Sequence, residues 1–84
     1  MLYTFAVQMK LTQAPFNKPL LVINISDTAL EIKLLELGFG VNTQFNLLRQ
    51  APFNGPYTLN NEKTQIILRS EDANRIEVSI PPSI

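Results

Sequence analysis

The side chains able to do chemistry in this chain are few, and their types narrow the options at once. Among 84 residues there is no cysteine and no histidine. Imidazole and thiolate hold structural and catalytic zinc, and they activate serine and cysteine nucleophiles, so centres of both kinds are excluded. Other transition-metal sites lean on the same ligands. What remains is seven Asp+Glu, seven Lys+Arg, hydroxyls and two tyrosines. Acid–base work on a substrate asks for two carboxylates on one face, and no expected element supplies the pair. Glu31, Glu36, Glu71, Asp72 and Glu77 read as a solvated surface. No glycine-rich phosphate loop is present. The composition speaks against an enzyme and names no cofactor. A weak all-oxygen site is the only metal chemistry left open.

Chemistry by contact is better served. Arg49 leads into Ala51-Pro52-Phe53-Asn54-Gly55-Pro56, which sets an aromatic ring between two prolines and beside a cation. Prolines stiffen the segment and lower the entropy lost on binding, and aromatic and arginine side chains are the usual anchors. Lys33 and Glu36, on the outer face of an expected helix, are second choice, because exposed charges tune encounter more than affinity. The competing reading folds Phe53 back as a plug for one end of the core, where large apolar side chains more often sit. Residues 13–19 match residues 50–56 at six of seven positions, 37 residues apart. Two copies are too few for a repeat fold. They read either as two equivalent turns or as a paired surface presenting Phe16 and Phe53; the plug argument favours equivalent turns.

These residues need elements to position them. Residues 28–37 form the one committed helix. Thr28 and Glu31 suit a capping box, and Leu30, Leu34 and Leu37 fall on one face with Ile32 and Leu35 widening it. Gly38 supplies the left-handed stop. Residues 3–11 alternate with period two, residues 20–25 form a continuous apolar run, and residues 43–50 put Phe45 and Leu47 on one face. Further strands are expected over 57–59, 64–69 and 75–80, the last with Ile76, Val78 and Ile80 inward and Glu77 and Ser79 outward. Ser70 is expected to cap a single helical turn over 70–74. Proline-bearing breaks at 13–19 and 51–56 and a Gly/Asn loop at 39–42 separate the strands.

Length allows one domain, residues 1–84, that buries about 60–65% of its unfolded surface. The balance of charge offers nothing for a phosphate backbone or an anionic lipid sheet. No apolar run is long enough to span a bilayer, and the N-terminus lacks the cationic start of a signal peptide. The expectation is a cytoplasmic protein with no nucleic-acid partner and no direct membrane insertion.

Three pieces in register carry a resemblance to a known family. They are Leu34-Leu35-Glu36-Leu37-Gly38-Phe39, then Arg49-x-Ala51-Pro52-Phe53-x-Gly55-Pro56, then Ile67-Leu68-Arg69-x-x-x-Ala73-x-x-Ile76-x-Val78, with Thr43 opening the strand between the first two. Over residues 30–78 this pattern resembles FeoA, the ferrous iron transport protein A family. The resemblance implies a mainly β fold, a small SH3-like barrel of five to six strands with one short helix at about residues 28–37. Leu30, Leu34, Leu37, Gly38, Asn42, Phe45, Leu68, Ile76 and Val78 take its structural positions. Val41-Asn42 stands where the family usually has Pro-Gly, and asparagine is the next residue best able to hold a left-handed turn. The N-terminal third departs from the pattern, which leaves open a homo-oligomer through the N-terminal strand.

The resemblance also implies a role: an accessory protein of bacterial ferrous iron uptake that docks, without chemistry of its own, on the cytoplasmic GTP-binding domain of the permease FeoB. The alternative is an SH3-like module for peptide binding or oligomerisation, as attached to metal-dependent repressors. A peptide groove would draw on Tyr3, Tyr57, Phe16, Phe39, Phe45 and Phe53.

Overall fold

In the computed structural model, which describes residues 7–81, Asp27 rather than Thr28 starts the helix. Helix α1 spans Thr28–Glu36. Asp27 is extended, and one carboxylate oxygen accepts from the Ala29 N–H at 3.2 Å. The other accepts from Arg75 Nη1 at 2.9 Å. The Glu31 N–H, the donor a Thr28 cap would need, goes to the Asp27 carbonyl at 2.9 Å. A cap that also holds a cation 48 residues away is not visible in local spacing.

Leu30 and Leu34 are buried under the helix, while Leu37 is 40% exposed and Ile32 and Leu35 are exposed. At about 100° per residue, Leu35 points well away from the Leu34 row and Ile32 almost opposite to it. The packed stripe is one row wide. Leu37 falls in the cap rather than in the helix.

The helix stop follows from glycine's freedom. Gly38 has φ 89°, so its N–H reaches the Leu35 carbonyl at 3.1 Å and the Phe39 N–H reaches Leu34 at 2.7 Å, the paired bonds of a Schellman ending. A Cβ at Gly38 would meet only Asn61 Nδ2, at 3.5 Å. Gly38→Val is therefore expected to cost about 1–2 kcal/mol through backbone strain alone, read by denaturant unfolding; a loss within the scatter of surface variants would contradict it.

Six strands form one antiparallel sheet: β1 Val7–Lys10, β2 Pro19–Ile25, β3 Gln44–Gln50, β4 Tyr57–Asn60, β5 Gln65–Leu68 and β6 Ile76–Ile80. Their order is β1-β6-β2-β3-β4-β5. The register shifts at Ile23 on β2 and at Leu48 on β3, and such bulges bend a sheet. The result is a rolled, barrel-like SH3 fold whose sheet is not closed by hydrogen bonds. Pro19 is the first residue of β2, where a missing N–H is tolerated. Asn42, at φ 72°, turns the chain into β3 and donates its N–H to Val22.

Several local expectations need correction. The first strand ends at Lys10, and Leu11–Gln13 is a 3-10 turn that drives Leu11 fully into the core; residues 3–6 of that expected strand lie outside the described residues. A second short helix, α2 Ser70–Ala73, is flanked by Arg69 at the cap position, with no side-chain cap from Ser70. Ser79 is buried rather than outward. It sits between Gln8 on β1 and Leu21 on β2, and neighbours on one face of an interior strand shield a short side chain. Its hydroxyl has no partner.

The core lies inside the roll, built from Leu20, Phe45, Leu47, Leu59, Ile76 and Val78, with Leu30, Leu34 and Phe39 closing one side.

Candidate functional site

The turn over 51–56 is exposed at every residue but Gly55, and its backbone shows how it is held. The Ala51 N–H donates to the Pro56 carbonyl at 2.9 Å, and the Gly55 N–H returns to Ala51 at 3.1 Å. Gln50 Nε2 donates to the Gly55 carbonyl at 3.1 Å. Gly55 is required by space: a Cβ there would lie 2.8 Å from Ala51 Cβ and 2.9 Å from the Pro52 carbonyl oxygen. Phe53 and Asn54 are both left-handed, at φ 62° and 56°.

Asparagine tolerates that conformation, whereas for phenylalanine it costs about 1–2 kcal/mol. No burial offsets the strain, because Phe53 is fully exposed at 101%. The plug reading is overturned. A ring on a two-residue left-handed tip points away from the sheet, and the closed turn has no slack to fold it back. Arg49, opposite Thr58 on β4, is exposed beside it.

Lys33 and Glu36 are exposed on α1, but the fold does not bring them to this turn. The helix end is tied to the other end of the β3–β4 hairpin, where Asn61 Nδ2 donates to the Gly38 carbonyl at 3.1 Å. Residues 46 and 60 pair near that end and 50 and 57 near the turn, so four residue steps, about 13 Å, lie between. The contact residues divide into two separate places.

The sequence reading passed over Asn61, whose side-chain oxygen accepts from the N–H groups of Lys63 and Thr64 while its amide holds Gly38. Its place in Asn60-Asn61-Glu62-Lys63 was the available signal, since asparagine commonly organises such turns. Beside it opens a cleft of about 730 Å³, lined by Gly38, Gln44, Asn46, Asn60, Asn61 and Lys63. A smaller hollow of about 200 Å³ runs between α1 and β5. Of the aromatics a peptide groove would draw on, Phe39, Phe45 and Tyr57 are buried and only Phe16 and Phe53 are exposed; Tyr3 lies outside the described residues.

Among the described residues, no group of three or more carboxylates gathers into a metal cage. Dialysed protein is expected to retain no stoichiometric iron or zinc, by metal analysis of the purified chain; one metal per chain after dialysis would send attention back to the carboxylates. Among the described residues, no helix is long and apolar enough to cross a membrane.

A rolled antiparallel sheet of this order, with a short helix packed against it, defines a small SH3-like domain. A model of the FeoA domain matches residues 9–80. The chain belongs to the FeoA domain family. Solved structures agree. The FeoA protein from Chlorobium tepidum superposes with a TM-score of 0.80 at 25% identity, over 90% of this chain and 73% of that one. Iron(II) transport protein A from Clostridium thermocellum gives 0.75 at 26%, over 86% and 45%. A manganese-dependent transcriptional repressor gives 0.77 at 18%, over 93% of this chain but 44% of its own, a likeness of fold alone. No curated protein matches the chain. Family membership links the chain to ferrous iron transport, within a family of small accessory proteins rather than enzymes.

Proposed function

We propose that this chain is a cytoplasmic accessory protein of ferrous iron uptake that works by contact, docking the turn over 51–56 and Arg49 onto the cytoplasmic GTP-binding domain of the permease FeoB. The observation that carries this reading is Phe53, held fully exposed on a rigid and strained turn in a FeoA-family chain. Backbone strain kept without burial is a reason to look for function at that residue. Pro52 and Pro56 reduce the ordering lost on binding. Lys33 and Glu36, on the far side of the hairpin, modulate the encounter rather than anchor it.

Phe53→Ala is expected to leave the melting temperature unchanged and to weaken binding to the purified permease domain by about tenfold or more. Undiminished binding, or a fall in melting by several degrees, would overturn the site.

The second reading is an SH3-like module for peptide binding or oligomerisation, with which the repressor's fold is consistent. Strand β1 lies at a sheet edge, and an edge can accept the strand of a second copy. A concentration-dependent dimer that persists in Phe53→Ala would favour that reading over docking by the turn.

A further inference from the structure

Segments 13–19 and 50–56 share more than their residues. In each, the asparagine after the phenylalanine is left-handed, Asn17 at φ 62° and Asn54 at φ 56°. In each, the phenylalanine is left largely outside the core, Phe16 at 45% and Phe53 at 101%. The first segment is bound to the strand that leads into the second, since the Asn17 N–H donates to the Leu47 carbonyl at 2.8 Å. Leu47 precedes Gln50 by three residues, so the anchor points of the two turns lie about 10 Å apart along β3.

Charge adds a second, independent observation. Lys18 follows Phe16 closely and Arg49 precedes Phe53, and both cations are exposed. Among the described residues neither forms an ion pair, whereas Arg69 and Arg75 both do. The strands that carry these turns, β2, β3 and β4, contain no Asp or Glu. Exposed rings beside unpaired cations call for apolar pockets and for carboxylates on the other side.

We propose that the two turns form one bipartite docking surface, Phe16 with Lys18 and Phe53 with Arg49, for an acidic protein face carrying two apolar pockets. This rests on the docking reading above and deepens it by making the first turn an equal part of the contact. The unequal projection of the rings suits a shaped protein face better than a flat lipid surface.

The test titrates the purified cytoplasmic domain of the permease with the unsubstituted chain and with Phe16→Ser, Phe53→Ser and the double variant Lys18→Glu/Arg49→Glu, at low and high salt, with melting recorded for each. Phosphatidylglycerol vesicles are the second probe. Each phenylalanine variant is expected to raise Kd about tenfold or more, and charge reversal to weaken binding and remove its salt dependence. Phe16 is half covered, so single Lys18→Glu carries the first turn's arm if Phe16→Ser melts early. If changes in the second turn weaken binding and changes in the first do not, the paired surface is wrong while docking by 51–56 stands. If the unsubstituted chain fails to bind the domain, both fall. Vesicle binding lost in the same variants, without binding to the domain, replaces the acidic protein face with lipid.

Discussion

Phe39→Ala is expected to lower the unfolding free energy by about 3–5 kcal/mol, the range for deleting a buried aromatic. Phe39 is 1% exposed and meets Phe45 edge to face, with ring centroids 6.2 Å apart and planes at 65°. Its position follows from the helix stop: the left-handed Gly38 turns the chain sharply, and the Phe39 N–H, bound to Leu34, aims the ring back under α1. Removing the ring leaves a cavity at the seam between helix and sheet and forfeits the aromatic pair, itself about 0.5–1.5 kcal/mol. Against a total of about 5–15 kcal/mol for a domain, that loss is a large share of the stability. Denaturant unfolding of Phe39→Ala, Phe45→Ala and the double variant separates the pair term from the cavity term. A loss under about 1 kcal/mol would mean the site collapses without cost, and the seam is not part of the core.

Leu34→Ala comes next, at about 2–5 kcal/mol. Leu34 is 2% exposed, and its carbonyl accepts the Phe39 N–H that closes the helix. Nine helical residues are too few to persist without tertiary support, and Leu30 and Leu34 are the two the helix buries. Truncating one removes much of what holds α1 to the sheet. Leu35→Ala, on the exposed side of the same turn, is the control and should change stability by no more than about 0.5 kcal/mol. Equal losses at both positions would contradict the one-row packing of the helix, because alanine is the better helix former and propensity alone gives no loss.

What the sequence by itself determined is what local chemistry decides. Alternation and apolar runs located six strands, glycine located the helix stop, and asparagine located the left-handed turn at 42, because periodicity and backbone sterics act within a few residues. The absence of cysteine and histidine removed the usual metal and nucleophile chemistries before any fold was known. The three motifs in register pointed to the FeoA family, which the match over residues 9–80 bears out. Tertiary structure alone decided the rest. Asp27, which caps the helix through one carboxylate oxygen, holds Arg75 from 48 residues away with the other. Ser79 was buried by flanking strands that no alternation pattern encodes. Phe39 went into the core and Phe53 stayed in water, although both are phenylalanines in loops with a glycine within two residues. The difference is the backbone: a single left-handed glycine turns Phe39 inward, while two left-handed residues at a closed tip carry the ring of Phe53 beyond the reach of any packing.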